Sequence, residues 1–247
     1  YIGKAGGSEG GGDSAPVHMS GELTQHAIHS NIEFPTPKRS GQEGWKERKP
    51  VMREYAIVTG KKYANDLPAL KKKVDSIIDK EFVPFIPSLM GYDDLNDIAA
   101  HSSHDKIYFN EKWKDSAFRE KLHEDWTDGG RVDEGTIIGS AVHEYGHTIT
   151  NILIAENPKF YKNKIVPIIE DRFNSTIVKG ESAFAYENHS EFMAEAFADH
   201  HLNRTNAAES SKQIVLLLKE GLAEKEIKRE KPEWVIKAMK ENKTSEI

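Results

Sequence analysis

Residues 141–150 (AVHEYGHTIT) constrain the fold of this chain more than any other segment. Seven apolar residues recur at helical spacing around them, which is the pattern of a helix buried in a core. These residues are Ile137, Ile138, Ala141, Val142, Ile149, Ile152 and Leu153. A buried helix cannot contain polar side chains without partners, because unpaired polar groups are costly away from water. His143, Glu144 and His147 therefore need partners elsewhere on the chain or on a bound ion.

The two histidines of this segment have the spacing of metal ligands. His143 and His147 are four residues apart, so on an α-helix they lie about 40° apart around the axis and about 6 Å apart along it. Glu144 lies about 100° further round, where a carboxylate can reach a water on the metal without binding the metal. This order of residues is the HExxH arrangement of zinc hydrolases. It predicts that His143 and His147 bind one zinc ion and that Glu144 is catalytic.

A third ligand has to come from elsewhere, because catalytic zinc sites usually have three protein ligands and a water. Residues 189–201 (HSEFMAEAFADHH) are predicted to form a second helix, in which two glutamates lie among apolar residues. A carboxylate in such surroundings needs a cation or a donor. Glu191 is the candidate third ligand, and Glu195 is a candidate partner for the ring N–H of a ligating histidine. Three histidines remain as alternative third ligands: His189, His200 and His201.

Composition and charge limit the kinds of partner and metal ligand that this chain can have. The 247 residues are enough for one substantial domain or two small ones. A net charge of −6 gives no broad basic field, so nucleic acid and anionic membranes are not expected as partners. The chain has no cysteine, so any metal must be bound by histidine and carboxylate. No apolar run approaches the ~20 residues of a membrane span, and we expect a soluble protein.

The chain is expected to divide near residue 50. Residues 1–50 are predicted to be a flexible linker and extended arm rich in Gly, Ser and Pro, with His18, His26 and His29 as surface histidines. Residues 51–247 are predicted to form the domain that contains this zinc site. Because the chain begins with Tyr1 and a Gly-rich tract, we expect a piece of a longer protein, following a removed signal peptide or an upstream domain.

Local patterns predict a mainly helical α+β domain with a small β-sheet. Runs of β-branched and aromatic residues predict strands at residues 55–59 (YAIVT) and 107–110 (IYFN). A helix is expected from residue 67 to residue 82. The residues predicted to cap helices are Asp66, Asp115 and Thr136. Further helices are predicted at residues 165–173, 189–201, 213–222 and 233–239.

The two motifs together resemble a known family. HEYGH followed by NHSEFMAEAFA is similar to the zinc peptidase domain of anthrax lethal factor and its relatives. These relatives include the Pro-Pro endopeptidases of clostridia and metallopeptidase-like domains attached to phage minor head proteins. The family combines HExxH with a helix reading N-x-x-E-F-x-A-E-A-F, which residues 188–197 match. The resemblance covers about residues 107–199, and KIYFNEKWK (residues 106–114) at its start is similar to the phage-associated branch, which we favour.

The resemblance implies a zincin-like metallopeptidase domain with one Zn²⁺ ion. His143, His147 and Glu191 would be the ligands, and Glu195 would accept a hydrogen bond from the ring N–H of a ligating histidine. The implied function is a zinc-dependent endopeptidase that hydrolyses a peptide or protein through a metal-bound water, with Glu144 as general base. The strand at residues 107–110 is expected to pair with an extended peptide substrate.

One position departs from the family pattern. Relatives have a Tyr seven residues before the ligand Glu, where it can donate to a developing oxyanion, and this chain has Phe184 there. Tyr186, two residues later, is the expected catalytic substitute. The alternatives are that His189 takes this role or that the site has no such donor and is slow.

The same sequence features are compatible with two other functions. The first is a structural domain of a phage virion, a minor head component with a zinc site, weak or absent proteolysis and other virion proteins as partners. The second is a secreted or delivered toxin or effector peptidase attached through the linker. The corresponding locations are the phage virion or the bacterial cytoplasm, or, for the effector, outside the producing cell.

Overall fold

A computed structural model describes residues 45–96, 98–103, 105–128, 136–175, 184–224 and 233–244. Its α-helices are α1 (Trp45–Tyr63), α2 (Leu67–Asp75), α3 (Ser116–Asp128), α4 (Ile137–Glu156), α5 (Val166–Phe173), α6 (His189–Asn203), α7 (Glu209–Ala223) and α8 (Glu233–Thr244). The strands are β1 (Leu89–Asp93), β2 (Ala100–Ser103) and β3 (Lys106–Asn110). Short 3₁₀ turns lie at Lys80–Phe82, Glu111–Lys114, Phe184–Tyr186 and Arg204–Asn206. A three-residue α-helical turn at Pro158–Phe160 and a π-helical turn at Tyr161–Ile165 precede α5. The predicted mainly helical α+β fold with a small sheet is confirmed.

Helix α4 lies at the centre of the core. Its apolar residues are buried along most of its length, as the helical spacing in the sequence predicts. The hydroxyl oxygen of Thr136 accepts a hydrogen bond from the N–H of Gly139 at 2.9 Å and so caps the helix, as predicted. The partners of α4 are α6, α7, α1, α2 and strand β2. The HEYGH segment is therefore enclosed by structure on several sides.

The sheet has the order β1-β3-β2. Strand β3 is parallel to β1, with Ile107 opposite Met90, and antiparallel to β2, with Ile107 opposite Ser102. The predicted strand at residues 107–110 is confirmed, but its predicted pairing with a substrate is wrong. Because β3 is the central strand and is paired on both sides, it has no edge to offer to a peptide. The outer positions in this sheet belong to β1 and β2.

The predicted strand at residues 55–59 is wrong, because these residues lie within helix α1. Tyr55, Ala56, Thr59 and Tyr63 are buried at helical spacing, and α1 packs against α3. Packing against α3 decides the conformation here, and the weak strand preference of β-branched residues does not. Since α1 begins at Trp45, it also crosses the predicted domain boundary at residue 50, and the last six residues of the predicted arm are helical. The rest of that arm, with its three histidines, lies outside the described residues.

The remaining predictions of helices are confirmed with shifted ends. Asp66 accepts from the N–H of Ala69, and Asp115 accepts from the N–H of Ala117, both at 2.9 Å. The helix after Asp66 ends at Asp75 and not at residue 82. The carbonyl of Ile77 accepts a hydrogen bond from Arg204, so it takes no part in a continuing helix. Among the described helices, none has both the length and the apolar character that crossing a bilayer requires.

Candidate metal centre

Helices α4 and α6 pack along each other and contain all the predicted ligands. Helix α6 begins after Asn188, whose side-chain oxygen accepts a hydrogen bond from the N–H of Glu191 at 3.0 Å. This cap fixes the first turn of α6 and with it the position of the Glu191 side chain. The apolar residues that follow, including Phe192 and Phe197, are buried.

Gly146 allows the two helices to approach closely at this point. A Cβ atom at this position would lie 2.8 Å from the Cα of Ala194 and 2.9 Å from the Cβ of Phe197. Any larger residue would therefore meet the backbone of α6. The glycine between the two histidines thus sets the distance over which Glu191 has to reach.

The three predicted ligands converge on one point. Nε2 of His143 lies 3.0 Å from Nε2 of His147 and 3.1 Å from Oε2 of Glu191. Nε2 of His147 lies 3.6 Å from Oε1 of Glu191. Ligands at about 2.0–2.1 Å from a tetrahedral zinc lie roughly 3.3 Å from one another. The spacing of these three side chains therefore fits a single zinc ion.

The far nitrogen of each imidazole has its own partner. Nδ1 of His143 lies 3.0 Å from Oε1 of Glu195, and Nδ1 of His147 lies 3.0 Å from Oγ of Ser190. Such partners hold the proton on Nδ1 and turn the Nε2 lone pair towards a metal. Glu195 has the position predicted for it. Ser190 was not predicted, although its position beside Glu191 in the first turn of the predicted helix indicates a side chain close to the ligands.

The electrostatics of the group also favour a cation. Burial lowers the pKa of His143, but the carboxylates of Glu191 and Glu195 beside its ring outweigh burial and raise the pKa to about 10. Burial raises the pKa of Glu191, but the imidazoles of His143 and His147 outweigh it and hold the pKa well below its usual range. Oε2 of Glu191 is buried, and its 3.1 Å contact with Nε2 of His143 lacks the geometry of a hydrogen bond. A buried oxygen of this kind is what a metal ion would satisfy.

The two predicted catalytic residues occupy different surroundings. Glu144 is buried on α4, directly after His143. The hydroxyl of Tyr186 accepts a hydrogen bond from Nη2 of Arg172 at 3.3 Å. Its ring packs against Phe173 and Phe192, with centroids 5.5 and 5.8 Å apart. The oxyanion role of Tyr186 stays a prediction, and the side chain of Phe184 lies outside the described part of the chain.

The alternative third ligands have other neighbours. The ring of His189 packs edge-on against Phe173. His200 and His201 lie at the opposite end of α6, where they form a second group with Asp79. The described residues thus contain two groups of side chains that could bind a metal, where the sequence predicts one ion.

Comparisons with family models, with curated proteins and with solved structures found no match for this chain.

Proposed function

We propose that this chain is a zinc-dependent endopeptidase with a zincin-like domain, similar to the lethal factor-like peptidases. The observation that supports it most is the convergence of His143, His147 and Glu191 from two helices onto one buried point. The partners on the far nitrogens of both imidazoles add to this support. Glu144 lies beside this group on α4 and is not needed as a ligand.

The residues around the centre have distinct tasks in peptide hydrolysis. When bound, zinc supplies a Lewis acid that polarises the scissile carbonyl and makes a water molecule more acidic. Glu144 accepts the proton of the attacking water and passes it to the nitrogen of the leaving amine. Glu195 and Ser190 fix the rings of the two histidines, so that both keep the orientation that binding requires.

The edge of the sheet at β2 offers a place for the substrate backbone. Strand β2 contacts α4 and is paired with β3 on one side only, within the described residues. An extended peptide can add to such an edge through main-chain hydrogen bonds, while side-chain pockets provide specificity. This strand replaces β3 as the candidate substrate-binding strand.

Replacing Glu191 by glutamine tests the proposed ligand set. The amide has nearly the same shape but no charge, so we expect zinc affinity to fall by at least ~100-fold, the upper end of the losses seen for residues that only support a ligand. Elemental analysis after dialysis against a competing chelator measures the zinc content. The matched control is Glu209→Gln, since the side chain of Glu209 is 90% exposed at the start of α7. A Glu191→Gln protein that keeps as much zinc as the control would refute the assignment.

Replacing Ser190 by alanine tests the support of His147. We expect zinc affinity to fall about tenfold, at the low end of the range for partners of ligating imidazoles. A chelator-buffered zinc titration measures the dissociation constant. Ser116→Ala is a suitable control, because Ser116 is an exposed serine in the first turn of another helix, α3. Equal zinc affinity for both variants would mean that Ser190 does not orient His147.

A further inference from the structure

The second group of possible ligands lies at the C-terminal end of α6. Oδ2 of Asp79, in the turn before Lys80–Phe82, lies 3.2 Å from Nε2 of His200 and 3.6 Å from Nε2 of His201. His200 follows Glu191 by nine positions in α6, so the two groups lie about 14 Å apart along the helix axis. The second group is therefore separate from the proposed catalytic centre.

The protonation of His201 leaves a lone pair directed at a carboxylate. Nδ1 of His201 lies 2.9 Å from the carbonyl oxygen of Phe197, which can only accept, so Nδ1 has the proton. A neutral imidazole with its proton on Nδ1 has a lone pair on Nε2. The side chain is fully buried, and Nε2 has no hydrogen-bond partner within the described ranges. This lone pair faces Oδ2 of Asp79 across 3.6 Å, a separation that a metal ion bound to both atoms would satisfy.

The surroundings of this group match those of metal-binding imidazoles. A main-chain carbonyl that accepts from Nδ1 is a common partner of a histidine that binds metal through Nε2. Nε2 of His200 adds a second imidazole beside the same carboxylate oxygen, at 3.2 Å. Both histidines lie in the last turn of α6, where the helix dipole favours positive charge.

Two side-chain cations also bind Asp79. Nη1 of Arg204 lies 2.7 Å from Oδ1, and Nζ of Lys219 lies 2.9 Å from Oδ2. Arg204 leaves Oδ2 available because it uses the other oxygen. Lys219 has a second carboxylate within reach, since its Nζ lies 3.3 Å from Oε1 of Glu81. It can therefore stay paired when a metal takes Oδ2.

We propose that Asp79, His200 and His201 form a second metal site, which binds a divalent transition ion of the zinc class and fixes the C-terminal end of α6 to the segment after α2. Two imidazoles and one carboxylate are ligands that suit Zn²⁺ and similar ions. Lys219 competes for the same oxygen, so this site binds zinc more weakly than the group at His143. Helix α6 is then held by an ion at each end.

Zinc stoichiometry of the full chain tests this second site. The double variant His147→Gln, Glu191→Gln removes two ligands from the proposed catalytic centre. Zinc binding is measured by calorimetry and by elemental analysis. We expect two zinc ions for the unaltered chain, one for this double variant, and none when His200→Gln is added. His101→Gln in the same background is the matched control, because His101 is an exposed histidine on β2, and it should keep one ion. The single variant His200→Gln, in the otherwise unaltered chain, should lower the number of bound zinc ions from two to one. It tests the same site if the double variant fails to fold.

A further variant separates a metal site from a network of ion pairs. Lys219→Met removes the competing cation, so zinc affinity in the double-variant background should rise by about fivefold. If the group is only an ion-pair network, this variant binds no zinc and is merely less stable.

The outcomes distinguish the two sites from each other. One zinc ion in the unaltered chain and none in the double variant would overturn the second site and leave the proposed peptidase centre intact. One zinc ion that survives in the double variant but is lost with His200→Gln would support the second site and refute the proposed function. If zinc still binds when His200→Gln is added to the double variant, the ion binds elsewhere on the chain, and the second site is refuted.

Discussion

Replacing Glu144 by glutamine is expected to abolish peptide hydrolysis and to leave zinc in place. Glu144 is buried on α4 beside His143, yet the three converging ligands do not include it. Glutamine preserves the shape of the side chain but cannot accept the proton of the attacking water. General acid and base catalysis contributes about 10²–10⁴-fold, and Glu144 is proposed to act in both steps. We therefore expect a loss of about 10³-fold or more in kcat.

This experiment needs a substrate and a measurement of zinc. Fluorescein-labelled casein and a mixed peptide library serve as general substrates, and elemental analysis gives the zinc content of each variant. Glu156→Gln is the matched control, because Glu156 is an exposed glutamate at the end of the same helix. His143→Ala should lose both zinc and hydrolysis. If the Glu144→Gln variant cleaves as fast as the unaltered protein, Glu144 is not the general base.

Replacing Gly146 by alanine is expected to impair stability, zinc binding and hydrolysis together. The added Cβ would lie 2.8 Å from the Cα of Ala194, which is backbone and cannot move aside as a flexible side chain could. Helix α6 would have to shift away from α4, and Glu191 would move with it. Overpacking of this kind costs ~1–3 kcal/mol in the free energy of unfolding. We expect Tm to fall by about 2–4 °C for each kcal/mol and zinc affinity to fall with it.

Gly221 provides the matched control for this prediction. A Cβ atom there would lie 2.7 Å from Cδ1 of Phe160 and 2.8 Å from Cδ1 of Leu153, which are side-chain atoms. Gly221→Ala should therefore lower the stability of the fold less than Gly146→Ala and leave zinc affinity unchanged. Thermal unfolding with and without added zinc measures both effects. Equal zinc affinity in the two variants would show that close packing at Gly146 does not position Glu191.

The sequence was sufficient to predict those parts of the site that depend on short-range patterns. The spacing of His143 and His147, the cap at Thr136 and the spacing of Glu191 and Glu195 all lie within single helices. Their convergence on one point followed from the need of buried polar groups for partners. The residues of the site were therefore predictable from spacing within each helix, and their contact was predictable because buried polar groups need partners.

Contacts between distant segments were not predictable in this way. Asp79 and His200 are 121 positions apart, and nothing in either segment indicates the other. Strands β1 and β2 were missed, because LMGYD and AHSS are short and lack a clear alternation of apolar and polar residues. At residues 55–59 a strand was predicted where none exists, because packing against α3 makes this run of β-branched residues helical. In these cases tertiary contacts decide the structure.

The geometry of α6 also limits how its sequence can change in length. Inserting or deleting one residue in an α-helix advances everything beyond it by about 1.5 Å and turns it by about 100°. A single such change between Glu191 and Glu195 would swing one of the two glutamates away from the imidazole of His143. Evolution can therefore exchange side chains in this stretch but cannot lengthen or shorten it, so relatives that keep the centre should align here without gaps.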